Sequence, residues 1–315
     1  MGYGFGIDLG GTTVKLAFFD HCGTLLEKWE IPTDTSCSGA NILPDIAASV
    51  QNYLLAKAIP AEQIIGIGIG VPGPVRPDGT VNKCVNLGWG VFNIEKTLEQ
   101  LTDLPVAAGN DATVAALGEC WKGGGQGCDS MVFATLGTGV GGGIVIGGKV
   151  VHGVHGAGGE IGHMVLNREE TENCNCGKKG CVEQYCSATG IVRLAKKHLA
   201  DTIAPSSLRN IENLTCKDVF DHAAAGDAAS REILEQVYAY LGEFLANICN
   251  VIDPEAVVIG GGVSKAGQPL LDGAERHFKK WVMHAVSPVR FSLARLGNDA
   301  GAYGAFKLIL DKKGV

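Results

Sequence analysis

The sequence predicts an α/β protein with two lobes that face a shared cleft. At 315 residues the chain is longer than the usual single domain of about 100–200 residues, so two domains are expected. Segments rich in β-branched residues alternate with segments of helical periodicity. One pattern also occurs twice: strand, glycine-rich turn, strand, turn and strand, beginning near residues 3 and 131. We expect one such β-meander in each lobe.

The first lobe begins with this meander and continues through alternating helices and strands. The turn GGTT joins its first two strands, and Gly23 marks the turn into the third. Apolar residues at helical spacing from Ile42 to Leu54 predict a helix. The predicted elements are strands at 3–9, 14–20 and 24–31, a helix at 42–54, strands at 64–71 and 106–108, and a helix at 112–121.

The second lobe repeats the meander after a glycine-rich segment, with GTGVGGG at 137–143 as its first turn. The strongest helical periodicity in the chain runs from Ile233 to Ile252 and ends at Asp253-Pro254. We expect lobes at residues 1–121 and 122–299, with a C-terminal helix at about 300–315 that packs back on the first lobe. The predicted elements are strands at 131–136, 144–146 and 149–151, a helix at 233–252, a strand at 256–259 and a helix at 301–310.

Composition excludes several classes of protein. Hydrophobic residues make up 46% of the chain, which is too many for a disordered protein. The net charge of −7 argues against nucleic acid as the main partner. No apolar run approaches the roughly 18 residues that span a bilayer, and the N-terminus lacks the pattern of a signal peptide. Most of the 11 cysteines are scattered singly, unlike a secreted disulfide framework, so we expect a soluble, cytoplasmic protein with no membrane partner.

The first glycine turn has the composition of a phosphate-binding turn. The chain has 46 glycines, about twice the average usage of about 7%. At Gly10 and Gly11 the missing side chains leave backbone amides bare next to Asp8, which suits a phosphate with a water-bound Mg²⁺. An ordinary glycine hairpin is the alternative. The further candidate donors to the phosphate are Thr12, Thr13 and Lys15.

Two glycine segments in the second half extend this hypothesis. The turn at 135–143 carries glycine or threonine at nearly every tip position, and two facing hairpins of this kind can clasp a polyphosphate. The segment Gly260–Ser264, where a strand is expected to open into a helix, could admit a nucleoside at close range. Helix–strand packing would explain the same glycines.

Asn110 and Asp111 follow a predicted strand and begin a predicted helix. A carboxylate in this position could act as a general base. Asn and Asp are also favoured helix N-caps, which need no catalytic role. The local sequence therefore leaves both interpretations open.

The sharpest local motif is a set of four soft metal ligands within 19 residues. His163, Cys174, Cys176 and Cys181 supply the Cys₃His set of a closed structural zinc site, although Cys-x-Cys departs from the commoner spacing. Buried or redox-active thiols are the alternative. Glu160 precedes His163 by three residues, so on a helical turn the two share a face, and a metal would orient Glu160.

Together these motifs resemble the ROK family of sugar kinases and sugar-responsive repressors, and more narrowly its bacterial ATP-dependent glucokinases. They extend over essentially the whole chain in the same order as in the family. EIGH followed by CxCGxxGC is highly specific, whereas the glycine turns are shared with the wider actin and hexokinase superfamily. The motifs are DLGGTTVK (8–15), GVPGPV (70–75), GND (109–111), TLGTGVGGG (135–143), EIGH (160–163), CNCGKKGCVEQ (174–184) and IGGGVS (259–264).

The resemblance implies an actin/hexokinase-like (ribonuclease H-like) fold with ATP in the interlobe cleft. It makes Asp111 the general base for transfer of a phosphoryl group to a sugar hydroxyl. It also implies that His163 ligates the zinc ion and binds the sugar. The implied cofactors are structural Zn²⁺ and Mg²⁺ with ATP. The implied sugar-binding residues are Gly73, Asn86, Asn110, Asp111, Glu160, His163 and Glu183, and the implied ATP and Mg²⁺ residues are Asp8, Gly10, Gly11, Thr12, Thr138, Gly139, Gly261 and Gly262.

Glucose phosphorylation at the 6-hydroxyl is the leading function, because Asn86-Leu87-Gly88-Trp89 and Glu183-Gln184-Tyr185 are similar to the corresponding glucokinase segments. N-acetylmannosamine and fructose kinases of the family share nearly every residue named, and polyphosphate is an alternative donor. A sugar-responsive repressor would carry a helix-turn-helix segment ahead of Asp8, and an actin-like chaperone or filament protein would not require the cysteine motif. Family members are usually dimers or tetramers, so we expect a homodimer or homotetramer.

Overall fold

The computed structural model describes residues 2–315, which divide into two compact units. Unit 1 comprises the chain up to Asp129, Gly143–Gly159 and Leu296–Val315, and unit 2 comprises Ser130–Gly142 and Glu160–Arg295. None of the helices within residues 2–315 combines the length and the apolar character that a membrane span requires. The strands are β1 Tyr3–Leu9, β2 Thr13–Asp20, β3 Leu25–Pro32, β4 Ile64–Val71, β5 Thr80–Val81, β6 Phe92–Asn93, β7 Val106–Asn110, β8 Met131–Leu136, β9 Val140–Ile146, β10 Lys149–Val150, β11 Ala256–Gly260 and β12 Arg290–Leu293.

Nine helices accompany these strands in the described part of the chain. Asn93 caps α2 by accepting a hydrogen bond from the Lys96 amide, and Thr215 and Asp218 form a reciprocal capping box at α6. The helices are α1 Ile42–Ala56, α2 Ile94–Thr102, α3 Asp111–Lys122, α4 Glu183–Cys186, α5 Ala188–Asp201, α6 Cys216–Ala224, α7 Ala228–Ile252, α8 Gln268–Trp281 and α9 Ala300–Lys313.

The two five-stranded sheets have the same topology. The first has the order β3-β2-β1-β4-β7, with an antiparallel meander followed by two parallel strands. The second has the order β10-β9-β8-β11-β12, in which β11 again runs parallel to both neighbours. The predicted duplication of the meander is therefore confirmed.

In the core of unit 1, glycine occupies the sheet positions that face α9. A Cβ atom on Gly68 would lie 1.6 Å from the Ala305 carbonyl oxygen, and one on Gly6 would lie 2.0 Å from that of Ala302. In the later part of β4, Ile67 and Ile69 thus face the core on one side, while Gly66 and Gly68 present bare backbone to α9 on the other. Because the α9 residues at these contacts, Ala302 and Ala305, have small side chains, the helix and the sheet approach each other closely.

Unit 2 has its core around α7, the helix with the strongest periodicity in the sequence. Its buried side chains, such as Phe244 and Leu241, pack with Phe278 of α8 and with the strands β8 and β11. Burying a phenylalanine of this kind contributes about 1.5–3 kcal/mol to stability. α7 and α8 lie close together at Gly242 and Gly273, where an added Cβ would come within 2.5 Å of the other helix.

Two details in the second half of the chain differ from those predicted. The turn is restricted to Gly137–Gly139, because β9 already begins at Val140 and its glycines are strand residues. At Gly142 a Cβ would lie 2.1 Å from the Ile161 side chain, so glycine at this strand position makes room for side-chain packing. The segment after β11 forms a short 3₁₀ turn at Gly262–Ala266 rather than entering a helix directly, and α8 begins at Gln268.

Candidate functional site

In unit 1, the predicted catalytic and phosphate-binding residues lie at the carboxyl ends of three parallel strands, β1, β4 and β7. In the β1, β4 and β7 register, Asp8 pairs with Gly70, which in turn pairs with Gly109. Strand spacing then puts the Asp8 and Gly109 Cα atoms about 10 Å apart. Asp8, the GVPGPV loop and Asn110-Asp111 therefore lie at the carboxyl ends of neighbouring strands, where ligands bind in open α/β sheets.

Asn110 and Asp111 occupy different positions at the start of α3. Asn110 is the N-cap, and its side-chain oxygen accepts a hydrogen bond from the Thr113 amide at 3.1 Å. Its amide nitrogen donates to the Gly73 carbonyl at 3.2 Å, which links β7 to the GVPGPV loop. Asp111 is the first helical residue, and its Oδ1 accepts from the Ala112 amide at 2.7 Å. The cap is thus Asn110, so capping does not account for a carboxylate at residue 111.

Gly73 and Asn86 lie in two loops that a cysteine joins. The Cys84 thiol donates to the Pro72 carbonyl at 2.7 Å. Asn86 is exposed in a 3₁₀ turn at Val85–Leu87, and the Trp89 indole donates to the Gly39 carbonyl at 3.0 Å behind it. The structure thus places Gly73 against Asn110 and leaves the Asn86 side chain open to solvent.

The turn between β1 and β2 includes one glycine that the hairpin itself does not require. At Gly10 an added Cβ would lie 2.9 Å from the Thr13 carbonyl, so the closeness of the turn explains this glycine. At Gly11 nothing lies within 4 Å, and the residue is exposed without a positive φ. Close approach of a ligand to the backbone is a reason for glycine at such a position. Lys15 Nζ lies 3.4 Å from Asp8 Oδ2.

In unit 2, the glycine turn at 137–139 contacts Glu183 and the start of α5. Glu183 Oε2 accepts from the Val140 amide at 3.0 Å, and a Cβ on Gly139 would lie only 2.3 Å from that oxygen. The Thr189 hydroxyl donates to the Thr138 carbonyl at 2.7 Å. The turn is thus held from two sides, and Thr138 is exposed at its tip.

Gly261 and Gly262 follow β11, beside this turn. Gly261 has φ of +82° and its Cβ would meet the Leu136 backbone at 2.5 Å, so local backbone geometry requires glycine there. Gly262 has nothing within 4 Å of its Cβ position. Of the two, only Gly262 is left without a packing explanation.

The four soft ligands predicted from the sequence converge in unit 2. One ligand atom from each of His163, Cys174, Cys176 and Cys181 lies within 4.8 Å of every other. Cys176 Sγ and Cys181 Sγ are 3.6 Å apart, and Cys174 Sγ is 3.8 Å from His163 Nδ1. A tetrahedral zinc site requires sulfur–sulfur and sulfur–nitrogen separations of about 3.8 and 3.6 Å, so the spacing fits.

The folded loop accounts for the spacing of the cysteines. The Cys174 carbonyl accepts from the Gly177 amide at 2.8 Å, and a bridge pairs Asn173 with Lys179, so the chain turns back on itself. At Gly180, φ is +77° and a Cβ would lie 1.8 Å from the Asn167 carbonyl. Glycine is therefore required at residue 180, which precedes the last cysteine ligand.

Burial disfavours the thiolate forms of Cys174 and Cys181, so metal ligation requires a cation to stabilise them. Burial raises the pKa of Cys174 and raises the pKa of Cys181 to about 12, whereas a hydrogen bond from the Lys178 amide lowers the pKa of Cys176. Metal ligation requires thiolates, and a bound Zn²⁺ supplies the charge that stabilises them. The donor set is thus suited to a metal ion.

His163 also faces Glu160, which places the cluster next to two predicted sugar ligands. His163 Nε2 lies 4.0 Å from Glu160 Oε2, on the side of the ring opposite the cysteines. Glu183 Oε1 lies 3.6 Å from Cys174 Sγ. The cluster thus contacts both Glu160 and Glu183.

Two side chains that hold the cysteine loop in place, Gln184 and Glu170, were not predicted from the sequence. The buried Gln184 side chain accepts from the Gly180 and Cys181 amides and donates to the Glu172 carbonyl. Glu170 accepts from Arg193 at 2.7 Å and from the Tyr185 hydroxyl at 2.6 Å. Gln184 is the last residue of the CNCGKKGCVEQ motif and Tyr185 follows it. Their position next to Glu183 was the only feature of the sequence that could have indicated these roles.

Comparison with known proteins gives consistent results over nearly the full length. A model of the ROK family matches residues 4–312. The chain is 44% identical over 309 residues to the glucokinase of Halalkalibacterium halodurans, covering 96% of this chain and 94% of that one.

Solved structures agree. A ROK family glucokinase from Streptomyces griseus, in complex with glucose and AMPPNP, is 32% identical with a TM-score of 0.74 and coverage of 98% and 99%. The ROK hexokinase of Thermus thermophilus is 30% identical with a TM-score of 0.81 and coverage of 99% and 100%. The predicted actin/hexokinase-like fold class and the family resemblance are confirmed.

Proposed function

This chain belongs to the ROK family, and from that premise we propose that it catalyses the ATP-dependent phosphorylation of glucose at its 6-hydroxyl, giving glucose 6-phosphate and ADP. The observation that carries the proposal is the 44% identity to a glucokinase over 96% of this chain. The related Streptomyces griseus enzyme, which binds glucose and the ATP analogue AMPPNP, supports both substrates.

We assign Asp111 as the general base. A sugar hydroxyl is a poor nucleophile, and phosphoryl transfer to it depends on in-line positioning, neutralisation of charge and removal of the hydroxyl proton. The Asp111 carboxylate lies at the carboxyl end of β7 and is not the α3 cap. Asn110, fixed between Thr113 and Gly73, would orient the sugar from the same strand end.

The nucleotide-binding residues are assigned to the glycine-rich segments of the chain. In unit 1, Asp8 would hold the Mg²⁺ shell, while the bare backbone at Gly10 and Gly11 and the side chains of Thr12, Thr13 and Lys15 would bind phosphate. In unit 2, Thr138 and Gly139 would contact phosphate, and Gly261 and Gly262 the adenosine. Gly11 and Gly262 support this assignment most directly, because the fold does not require glycine at either residue.

The sugar hydroxyls are further assigned to Glu160, His163 and Glu183 in unit 2, and to Gly73 and Asn86 in unit 1. Carboxylates accept hydrogen bonds from hydroxyls, and the two glutamates lie beside the cysteine cluster. His163, Cys174, Cys176 and Cys181 would hold a structural Zn²⁺, whose chemistry is to stabilise the thiolates and lock the loop. With Nδ1 turned to the cysteines, the His163 ring has Nε2 available for a hydroxyl.

The test is ADP release from Mg-ATP by the purified protein with glucose, N-acetylmannosamine, fructose or no sugar. We expect a rate that depends on glucose, with the highest kcat/KM for glucose among the three sugars. A higher kcat/KM for N-acetylmannosamine or fructose would reassign the acceptor within the family. Absence of any sugar-dependent rate would refute the kinase proposal and favour a sugar-responsive regulator.

Replacement of ATP by polyphosphate tests the identity of the phosphoryl donor.

We also propose a cytoplasmic protein that forms a homodimer or a homotetramer. Sedimentation distinguishes the two oligomeric states.

A further inference from the structure

β7, the strand that leads into Asn110-Asp111, lies at the edge of its sheet. It pairs with β4 on one side only. In a parallel strand, successive residues turn their backbone groups to alternate sides, so the groups of Val106 and Ala108 point away from β4. Both residues are buried, so these amides require partners.

Charged side chains from α2 and α9 supply those partners in place of a neighbouring strand. Glu99 Oε1 accepts from the Val106 amide at 3.1 Å, and Glu95 Oε1 accepts from the Ala108 amide at 2.9 Å. Lys312 Nζ donates to the Val106 carbonyl at 2.7 Å. Four residues of helix rise about 6 Å and two residues of strand about 6.6 Å, so glutamates one turn apart match alternate strand amides.

Glu95 is held more firmly than a surface glutamate would be. Its second oxygen pairs with Lys312 Nζ at 2.7 Å, and its side chain is 14% exposed. The turn before β5 closes over it at Gly79, where φ is +80° and a Cβ would lie 2.5 Å from the Glu95 carboxyl carbon. The carboxylate is therefore fixed in both position and orientation.

We infer that Glu95 is a positioning residue for the reaction: it fixes the end of β7 and thereby sets the place of Asn110 and Asp111. Ala108, which it holds, is two residues before Asn110, whereas Val106, held by Glu99, is four residues before it. This inference rests on the proposed function, because Glu95 can affect the reaction in this way only if Asp111 takes part in it. Glu99 is the matched control, since it makes the same kind of bond farther from the site.

The variants Glu95→Ala, Glu95→Gln and Glu99→Ala separate positioning from stability. A cavity of about 340 Å³ opens beside Glu95, Ala108 and Lys312, so water can replace the lost carboxylate and we expect the variants to fold. Glu95→Gln keeps an oxygen for the Ala108 amide. Glu95→Asp keeps the charge but shortens the reach by about 1.5 Å, which provides a second test should Glu95→Ala fail to fold.

Two measurements are made on each folded variant: kcat with saturating glucose and Mg-ATP, and deuterium uptake by the peptide spanning residues 106–111. Small misplacements of a catalytic group cost up to about 100-fold in rate, so we expect Glu95→Ala and Glu95→Asp to lower kcat about tenfold or more. Glu95→Gln and Glu99→Ala should stay within about twofold of the parent. KM for Mg-ATP should be unchanged in all four, and uptake should rise in Glu95→Ala and Glu95→Asp but not in Glu95→Gln.

Equal kcat values for Glu95→Ala and Glu99→Ala, or no recovery in Glu95→Gln, would overturn the inference. A parent protein without sugar-dependent turnover would instead refute the proposed function. In that case the deuterium uptake still decides whether Glu95 fixes the end of β7, because it does not depend on activity.

Discussion

Asn110 and Asp111 are adjacent at the start of α3, yet their side chains make different contacts. Asn110 caps the helix and donates a hydrogen bond to the Gly73 carbonyl, whereas Asp111 accepts a hydrogen bond from the Ala112 amide. A base must be within reach of the proton that it removes, and we propose that Asp111, at the carboxyl end of β7, has this position relative to the sugar. The proposal therefore depends on Asp111 more than on any other side chain.

Replacing Asp111 by alanine should lower kcat for glucose phosphorylation by about 10²- to 10⁴-fold, the range typical of a lost general base. Glucose binding, measured by calorimetry, should persist, because Asn110 and the other proposed sugar ligands are unchanged. Asp45→Ala is the control, since Asp45 also lies in the first turn of a helix but is exposed on α1. Turnover near the parent rate in Asp111→Ala would remove Asp111 as the base.

Cys176→Ser should lower zinc content and glucose affinity together. Cys176 lies 3.6 Å from Cys181 within the cluster, and loss of one ligand leaves an open tetrahedral site beside Glu160 and Glu183. Zinc is measured by elemental analysis and affinity by calorimetry. Cys22→Ser, at an exposed cysteine outside the cluster, should change neither. Full glucose affinity in zinc-free protein would contradict the proposed structural role of the metal.

The loop from Asn173 to Gln184 is an element whose shape depends on backbone geometry as much as on its cysteines. Gly177 and Gly180 both have positive φ, but only Gly180 lies against other backbone, at 1.8 Å from the Asn167 carbonyl to its Cβ position. The buried Gln184 side chain binds the amides of Gly180 and Cys181 on the other side. Gly177 and Gly180 thus have similar φ values, but only at Gly180 would a side chain collide with the backbone.

Gly177→Ala should cost about 1–2 kcal/mol, the strain of an L-residue in the left-handed region. Gly180→Ala should cost more and should also reduce zinc content, because the backbone around Cys181 must move. Thermal unfolding and elemental analysis of the two variants check this. Equal Tm and zinc content would show that the contact at Asn167 does not shape the loop.

The ion pair between Glu170 and α5 makes the stability of unit 2 depend on pH. The Arg193 guanidinium, with the Tyr185 hydroxyl, lowers the pKa of Glu170 from 4.5 to about 2. A carboxyl whose pKa is lowered on folding stabilises the protein above its unfolded pKa, and this contribution disappears as the pH falls from about 4.5 towards 2. Glu170 is 7% exposed, so solvent screens the pair little.

Glu170→Gln should lower the free energy of unfolding by about 1–3 kcal/mol at pH 7, and its difference from the parent should shrink between about pH 4.5 and 2. Urea unfolding at several pH values measures this. Glu172→Gln is the matched control, since Glu172 contacts the same Arg193 at 3.2 Å but is 64% exposed. A difference that is independent of pH would show that ionisation of Glu170 does not contribute.

At the scale of the whole molecule, the duplicated meander was predictable because the first two strands of each copy have six to eight residues and a glycine-rich turn joins them. In both halves of the chain the meander is followed by two parallel strands, so the two sheets are equivalent. Short or weakly apolar elements outside the meanders were not predicted: β5 and β6 have two residues each, and α2 combines only a few buried positions with charged residues. Their identity depends on contacts distant in sequence, such as those of Glu95 and Lys312.

The candidate site was predictable where chemistry is local in sequence. The four ligands converge as their spacing indicated, because all of them lie within 19 residues of one another in the sequence. The roles of Gln184 and Glu95 could not be anticipated, since each acts on backbone amides whose exposure is decided by strand order and loop closure. Likewise, only the structure separates Gly261, required by its φ, from Gly262, which is open.

The most direct test of the central claim is the identity of the product formed from glucose and Mg-ATP, determined by phosphorus and carbon NMR. Transfer to the 6-hydroxyl predicts one new phosphomonoester, coupled to carbon 6, in equal amount to the ADP released. Phosphate on another carbon, or ADP with inorganic phosphate and no sugar ester, would contradict the account.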